Sequence, residues 1–296
     1  MGKFFEKVRK GETSIVVELD PPKSPDLSRY LRGAHALKEA GADAITIADN
    51  SLSHSRVANM AVAKRLQDEV DIEGIVHINC RDRNLLAQQS YLLGLHVLGI
   101  TNLLIVTGDP VKMGDMPHTK SLFELNSIGL MEKVKKMNEG ILFTGVKQEE
   151  RTRFLYGGAL ASGKNHIPHR GRMMKKVEAG ARFFFTQPVY SQEAIEALGK
   201  FSREMNPEIP VFLGIMPIVS HKNALFLKGV PGIFIPDEHA ALFSGKEGKE
   251  AEKVGIELAY SLIRYGKKWF NGFYLITPYL RYSITAELTR RIKEGI

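Results

Sequence analysis

The sequence predicts a single (β/α)8 barrel, also called a TIM barrel, and three observations support this fold class. Eight short apolar segments alternate with longer segments whose apolar residues recur every three or four positions, as in amphipathic helices. The short segments are apolar almost throughout, which is typical of parallel strands covered on both faces. The 296 residues suit one barrel, so we expect residues 1–296 to form one domain without an internal boundary.

The predicted strands are SIVVELD from Ser14, DAITIAD from Asp43, GIVHINC from Gly74, NLLIVTGD from Asn102, FLYGGAL from Phe154, RFFFTQ from Arg182, PVFLGIM from Pro210 and GFYLIT from Gly272. The fifth contains two glycines, which disfavour a strand interior. Three helices lead into strands through similar joints, EAGADAITI, VLGITNLLIV and EAGARFFFT, in which a glycine closes the last helical turn. The stretch from Glu238 to Arg264 is long enough for two helices.

Composition narrows the class of protein. Cys80 is the only cysteine, which excludes an internal disulfide and a cysteine-based zinc cluster. We also expect no metal site. No apolar run reaches the roughly 18 residues of a membrane span, and the amino terminus has no apolar signal core. We therefore expect a cytoplasmic protein that does not contact the membrane.

The formal net charge of +8 suits an anionic partner, either nucleic acid, a membrane surface or a phosphorylated or polyglutamylated small molecule. No recognised nucleic-acid motif is present, so a nucleic-acid-binding protein is only a remote alternative. Two basic groups stand out, and we expect both on solvated helix faces: Lys133, Lys135 and Lys136, then Arg170, Arg172, Lys175 and Lys176. For Lys175 and Lys176, contact with a cofactor pyrophosphate is the alternative.

Polar residues stand where the predicted strands end. In a (β/α)8 barrel the carboxyl ends of the strands carry the active site, and an apolar strand needs no polar side chain there in order to fold. Ordinary turn residues are the alternative at most of these positions, because Asp and Asn often terminate strands. Glutamate is not a turn former, so Glu18 favours a functional role. The set comprises Glu18, Asp20, Asp49, Asn50, Asn79, Arg81, Thr107, Asp109 and Gln187.

Two carboxylates on separate strands can divide the work of an acid and an ionised group when their surroundings separate their pKa values. Glu18, flanked by Val17 and Leu19, is the candidate for the protonated acid. Asp109 is the candidate for the ionised group, and Gly108 before it lets the backbone approach a ligand. His77 is interpreted first as a core histidine and alternatively as a hydrogen-bonding partner of a cofactor.

A phosphate contact is a further possibility in the stretch GGALASGKNH. Its glycines can admit a phosphate, but the spacing matches neither a P-loop nor a dinucleotide fingerprint. The signal is therefore weak.

Several of these motifs together resemble the methylenetetrahydrofolate reductase family over nearly the whole chain. VELDPPK is similar to the family's strand-one glutamate followed by two prolines, VHINC to its strand-three histidine motif and LLIVTGDP to its strand-four Gly-Asp segment. KVEAGARFFFTQPVYS and FLGIMPIVS are similar to the sixth and seventh strands. TGDP, GIMPIVSHKNALFL and VPGIFIPDE most resemble the reductase half of bifunctional homocysteine methyltransferase/reductase proteins.

The resemblance implies a flavin, normally FAD, that takes electrons from NADH or NADPH and reduces 5,10-methylenetetrahydrofolate to 5-methyltetrahydrofolate. It implies that Glu18 is the general acid, that Asp109 lies near the flavin and the pterin, and that Gln187 orients the folate. The flavin-binding positions it implies are Asn50, His77, Thr107, Gly108, Asp109 and Lys176.

The chain also departs from the family pattern. Thr107 stands where many members have arginine, GGALASGKNH lacks the usual Tyr-Pro-Glu segment, and FYLITPYLRY replaces an Asn-Arg ending after strand eight. Some members take electrons from partner subunits, so an electron-donating partner is an alternative to direct NAD(P)H oxidation. A homo-oligomer is also left open.

Overall fold

Eight parallel strands close into a barrel in the computed structural model, which describes residues 2–161, 167–230 and 232–295. Each strand pairs with the next along the chain, and β8 pairs with β1. All eight predicted strands and the (β/α)8 fold class are confirmed. The strands are β1 (Ser14–Glu18), β2 (Ala44–Ile47), β3 (Glu73–Asn79), β4 (Asn102–Val106), β5 (Leu155–Leu160), β6 (Phe184–Pro188), β7 (Val211–Ile215) and β8 (Gly272–Ile276).

Helices alternate with the strands and cover the barrel. They are α1 (Lys3–Arg9), α2 (Ser28–Glu39), α3 (Asn59–Arg65), α4 (Leu85–Val97), α5 (Ser127–Asn138), α6 (Arg170–Glu178), α7 (Gln192–Met205), α8 (His221–Lys228), α9 (Asp237–Ala241), α10 (Gly248–Gly266) and α11 (Tyr282–Glu294). The two helices expected between Glu238 and Arg264 are α9 and α10. Among the described residues, no helix combines the length and apolar character that crossing a membrane requires.

The glycines of β5 are explained by the neighbouring strand. A Cβ atom at Gly157 would lie 2.5 Å from both the carbonyl oxygen and the ring of Phe183. Real Cβ atoms do not approach other atoms so closely, so only glycine fits there. The glycine that weakens the strand pattern in the sequence is therefore what allows β5 to pack beside the bulky start of β6.

An amino-terminal helix that the sequence patterns did not predict closes the floor of the barrel. Phe4 and Phe5 of α1 are fully or almost fully buried and join the cluster that fills the barrel interior. Phe4 packs edge-on against Phe183 at 5.4 Å between ring centroids. Above them Phe185 stacks on Tyr274 at 4.6 Å with the ring planes 12° apart. Aromatic rings thus fill the interior upward toward the carboxyl ends of the strands.

Strand alternation identifies the side chains above this aromatic filling. Val16, Ile75, Phe185 and Tyr274 belong to the interior cluster. Side chains two residues apart on a regular strand share a face, so Glu18 and His77 also point inward, at the carboxyl ends. The pairing of β6 with β7 is irregular between Phe185 and Pro188, so alternation does not determine the direction of Gln187. We call this open end, formed by the carboxyl ends of the strands and the loops that follow them, the barrel mouth.

Candidate active site

Glu18 sits in the barrel mouth among residues from two other strands. The Tyr274 hydroxyl on β8 donates a hydrogen bond to Glu18 Oε2. On β3, His77 Nε2 lies 3.8 Å from the same oxygen. Only 17% of the Glu18 side chain is exposed, so this carboxyl lies in a largely water-poor environment. A carboxyl in such surroundings pays a desolvation cost when it ionises.

The pKa of Glu18 is raised to about 8, mainly by burial and also by the negative charge of Asp20, while the Tyr274 hydrogen bond and Arg56 lower it. Glu18 therefore holds a proton at neutral pH. Burial also lowers the pKa of His77 to about 3, so the imidazole is neutral under the same conditions. This part of the mouth thus combines a carboxylic acid with an uncharged imidazole, and a carboxylic acid that keeps its proton near neutrality can act as a general acid.

Asp109 lies in the loop after β4, on the same rim of the barrel as Glu18. Its Oδ2 accepts a hydrogen bond of 2.9 Å from the Leu52 backbone N–H. The neighbouring Ser51 donates to Asp20 Oδ2 at 2.9 Å. Two adjacent residues of the loop after β2 therefore connect the loop after β4 with the loop after β1.

Arg81 connects these loops through the hydrogen bonds of its buried guanidinium. It is 2% exposed, and its guanidinium donates to the carbonyl oxygens of Asp109 at 2.9 Å and Asn50 at 3.2 Å. It also pairs with Asp82 through two nitrogens. A planar guanidinium can hold several acceptors in fixed directions, which a lysine cannot. Arg81 therefore fixes the loops that follow β2, β3 and β4 relative to one another.

Asn50 also contributes to this loop structure. Its amide nitrogen donates to Asp82 at 3.0 Å and its amide oxygen accepts from the Arg56 backbone N–H at 3.1 Å. The backbone φ is positive at Asn50, Leu52 and Ser53, a conformation that side chains other than glycine rarely adopt. Such strain concentrates at functional sites. The flavin contact of Asn50 stays a prediction, because both ends of its side chain already have protein partners.

Asp49 and Asn79 have structural contacts at the strand ends, which agrees with the alternative that they are ordinary residues of strand ends and turns. Asp49 is paired with Arg83, whose two terminal nitrogens donate to it at 2.8 and 3.0 Å, and it accepts the Asn79 backbone N–H at 3.0 Å. Asn79 is 1% exposed and donates to the Asp49 carbonyl oxygen and to Asp82. These polar strand ends stabilise the rim.

Gly108 and Thr107 occupy the loop after β4. Gly108 has a φ of +95°, and a Cβ there would lie 3.2 Å from Asn79 Cβ. The tight packing of this loop on β3 therefore requires the glycine, in addition to any approach to a ligand. Thr107 is exposed, and its hydroxyl lies 3.3 Å from the Ser127 hydroxyl at the start of α5. Its side chain is thus accessible on the rim.

Lys175 and Lys176 differ, which corrects the expectation that both lie on a solvated face. Lys175 is exposed, but Lys176 is only 7% exposed, and its ammonium donates to the Ala159 carbonyl oxygen of β5 at 2.6 Å. Burial, followed by the charge of Arg172, lowers the pKa of Lys176 to about 8. The amphipathic pattern alone did not reveal this, because Lys176 lies on the same buried face of α6 as Met173, where an apolar residue would be expected. The part of GGALASGKNH at positions 162–166 lies outside the described residues.

Gln187 is near the end of β6, where the pairing of β6 with β7 is irregular. The loop that follows α8 packs directly on it, since a Cβ at Gly232 would lie 2.3 Å from Gln187 Oε1. Gly232 also has a φ of +85°. Glycine at this position therefore allows the loop after α8 to pack closely against the Gln187 amide.

Sequence reasoning did not identify Tyr274, Arg56 or Asp82 as residues of the mouth. Tyr274 lies within the apolar run GFYLIT, where a tyrosine looks like an ordinary strand residue. Its partner Glu18 is 256 positions away. Only the closure of β8 onto β1 brings the two together, although the inward alternation of β8 could have identified Tyr274.

One polar atom of the mouth has room for a ligand contact. His77 Nε2 is buried and has no hydrogen-bond partner among the described residues. A buried polar atom without a partner is costly, so a ligand with a complementary polar atom would stabilise this arrangement. Within the same described residues, no three His, Cys, Asp or Glu side chains are grouped as a metal ion would require.

The chain is a closed (β/α)8 barrel, and a carboxyl that holds its proton lies at the carboxyl ends of its strands. It therefore belongs to the class of barrels whose active site lies at that end. Residues 3–277 match the family model for methylenetetrahydrofolate reductase. The chain therefore belongs to the methylenetetrahydrofolate reductase family, as its motifs predicted.

Curated relatives agree with this assignment. Methylenetetrahydrofolate reductase (NADH) 1 of Arabidopsis thaliana is 25% identical over 278 residues, covering 88% of this chain and 46% of the relative. Methylenetetrahydrofolate reductase 2 of Schizosaccharomyces pombe is 25% identical over 221 residues, covering 69% of this chain and 32% of the relative. The chain thus spans less than half the length of these relatives.

Solved structures agree with the fold. A protein from Clostridium thermocellum, described as binding two copies of 5-methyl-5,6,7,8-tetrahydrofolic acid, superimposes with a TM-score of 0.66 at 16% identity, covering 98% of this chain and 99% of that one. The coenzyme F420 dependent tetrahydromethanopterin reductase of Methanopyrus kandleri gives a TM-score of 0.54 at 14% identity, covering 96% and 99%. At these identities the similarity establishes the barrel architecture alone.

Proposed function

We propose that this protein reduces 5,10-methylenetetrahydrofolate to 5-methyltetrahydrofolate with the help of bound FAD. The observation that carries the proposal is the environment of Glu18, a carboxyl that holds a proton at neutral pH inside the mouth of a barrel of this family. The reaction needs such a group, because the five-membered ring of the substrate opens only when its bridging amine is protonated.

Glu18 would supply this proton, and its neighbours suit both of its protonation states. Burial and the nearby negative charges raise the pKa of Tyr274 well above its ordinary value, so the phenol keeps its own proton and remains a donor. It can therefore donate a hydrogen bond to Glu18 before and after the proton leaves. His77, being neutral, places no positive charge beside the acid that would favour its ionisation.

The residues of the mouth fit FAD. The unpartnered Nε2 of His77 suits a polar atom of the flavin ring, and the Thr107 hydroxyl and the Gly108 backbone border the rim. Outside the mouth, on α6, the buried Lys176 ammonium lies at the Ala159 carbonyl oxygen of β5 and suits a phosphate. Bound FAD, once reduced by the electron donor, would supply the hydride that converts the methylene group of the ring-opened folate to a methyl group. Asp109 and Asn50 would border the same cofactor through the loops that Arg81 holds.

Gln187 would orient the folate. Its amide group has donors and an acceptor of the kind that can pair with a pterin, and the loop at Gly232 limits its movement. We further propose NADH as the electron donor, which is the donor in the name of the Arabidopsis relative, with NADPH to be tested beside it. A cytoplasmic location is compatible with this reaction.

Anaerobic stopped-flow mixing of the FAD-loaded protein with NADH or NADPH tests both parts of the proposal. We expect either donor to bleach the flavin and subsequent 5,10-methylenetetrahydrofolate to restore its absorbance, with 5-methyltetrahydrofolate identified by mass spectrometry. Bleaching by dithionite but by neither nucleotide would indicate an electron-donating partner protein instead. A folded protein that binds no FAD, or whose chemically reduced flavin forms no 5-methyltetrahydrofolate, would exclude the proposed reaction.

A further inference from the structure

A second carboxyl, Asp20, lies two residues beyond Glu18 and is held in place by its surroundings. Its Oδ2 accepts the Ser51 hydroxyl at 2.9 Å and lies 3.2 Å from Arg56 Nη2. Arg56 is itself fixed, because its Nη1 donates to the Pro21 carbonyl oxygen at 2.8 Å. The Asp20 and Arg56 side chains are 25% and 19% exposed. The pair is therefore a localised set of charges at the edge of the mouth.

We propose that the Asp20–Arg56 pair sets the pH range over which Glu18 can serve as the acid, an inference that rests on the proposed function. Asp20 would act through Glu18 and is thus a positioning residue. Nothing in the reaction requires it to touch the substrate.

Burial has the largest effect on the pKa of Glu18. Within that buried setting, this pair supplies the charge among the ionisable groups around Glu18. They are Asp20 on the same segment, Arg56 from the loop after β2, His77 from β3, Tyr274 from β8 and Tyr30 from α2. Burial keeps His77 neutral, and it also raises the pKa values of both tyrosines, so these three carry no charge near neutral pH. Among the five groups, only Asp20 and Arg56 can bring charge to Glu18.

The two charges have opposite effects. Burial raises the pKa of Asp20 above its ordinary value, and Arg56 and the Ser51 hydrogen bond oppose part of this rise and so favour the carboxylate. The resulting negative charge opposes ionisation of Glu18, whereas Arg56 favours it. Arg56 therefore acts twice, since it keeps Asp20 charged and limits the effect of that charge. Removing Asp20 would leave Arg56 beside Glu18, and both changes would make Glu18 lose its proton at lower pH.

Infrared titration of the FAD-loaded protein measures this directly. Subtracting the spectrum of Glu18→Gln isolates the protonated-carboxyl band of Glu18, whose midpoint requires no turnover. We expect Asp20→Asn to lower the midpoint by about one pH unit or more, and Asp20→Glu, which keeps the charge, to restore it. Asp109 and Gln187 remain unchanged in these variants, so the ligand-binding groups are the same.

Two further variants distinguish an electrostatic effect on Glu18 from a disturbance of the surrounding structure. Arg56→Gln should make the Glu18–Asp20 carboxyl pair hold its proton to higher pH, which is the opposite of the shift expected for Asp20→Asn. If Asp20→Asn does not fold, Arg56→Gln provides the test in its place. Asp115→Asn is the matched control, because Asp115 is another loop carboxylate paired with a cation, Lys23 at 3.0 Å, but is not among the groups that shift the pKa of Glu18. Its midpoint should match the wild type.

The outcome separates this inference from the proposed function. An unchanged midpoint in Asp20→Asn, or shifts of the same sign in Asp20→Asn and Arg56→Gln, would overturn the inference even in an active reductase. Opposite shifts in a protein that forms no 5-methyltetrahydrofolate would support the electrostatic effect of the pair and contradict the reaction assigned to Glu18.

Discussion

The hydroxyl of Tyr274 donates a hydrogen bond to the carboxyl of Glu18 and so joins the last strand of the barrel to the first at the mouth. Tyr274 is held from below by its stacking on Phe185. The position of the proposed acid is thus determined by the barrel core, and its proton affinity is determined by burial and by Asp20.

Glu18→Gln should separate the two halves of the proposed reaction. The amide keeps the shape of the side chain but cannot give up a proton, so folate reduction should fall by about 10²- to 10⁴-fold. Flavin reduction by NADH needs no such proton and should stay within a few-fold of the wild type. Single-turnover stopped-flow measurements of each half-reaction check this, and equal losses in both halves would contradict the acid role.

Tyr274→Phe should shift the alkaline limit of activity upward. The hydrogen bond from Tyr274 lowers the pKa of Glu18, so without it the pKa rises above about 8 and the acid stays protonated to higher pH. A hydrogen bond to a charged group corresponds to a shift of about one pH unit or more. The pH profile of single-turnover folate reduction measures the limit. Because phenylalanine keeps the stacking on Phe185, circular dichroism should show an unchanged fold, and a downward shift would refute the assignment.

Lys176→Met should weaken FAD binding without destabilising the fold. Methionine fills a similar volume and removes a buried charge that is costly without its ligand, so the free energy of unfolding of the FAD-free protein should not decrease by more than about 1 kcal/mol. Loss of an ammonium contact to a phosphate should weaken FAD binding by about 10- to 100-fold.

Lys175→Met is the matched control for this prediction, since Lys175 is the exposed neighbour on the same helix. Fluorescence titration with FAD compares the two variants. If both bind FAD as tightly as the wild type, Lys176 has no contact with the cofactor.

Gly157→Ala should destabilise the barrel. The added methyl would lie 2.5 Å from the Phe183 carbonyl oxygen, and this overpacking should lower the free energy of unfolding by about 1–3 kcal/mol. Gly171→Ala, in the first turn of α6, provides the control, because its nearest neighbour would be His169 at an ordinary 3.4 Å. That variant should be neutral or more stable by up to about 1 kcal/mol. Urea denaturation measures both, and equal stabilities would contradict the close packing of β5 on β6 at Gly157.

Much of the architecture follows from sequence periodicity, because buried parallel strands and their covering helices leave distinct apolar patterns. The polar residues at the strand ends also follow, since an apolar core cannot explain Glu18. Periodicity did not reveal the contacts that determine what each polar residue does. Asp49 and Asn79 hold loops, Lys176 turns inward, and Tyr274 meets Glu18 only through barrel closure. The helix that carries Phe4 was missed because its seven residues are too few to show a period.

The position of α1 leaves the mouth as the open end of the described barrel. With Phe4 and Phe5 at the opposite end and aromatic rings filling the interior, a proton given up by Glu18 would be replaced through the same opening that the proposed folate and electron donor would use. Recharging the acid and exchanging the ligands would then be successive events. Under rapid turnover, the order in which the proton, the folate and the electron donor pass through the mouth would become part of the kinetic mechanism.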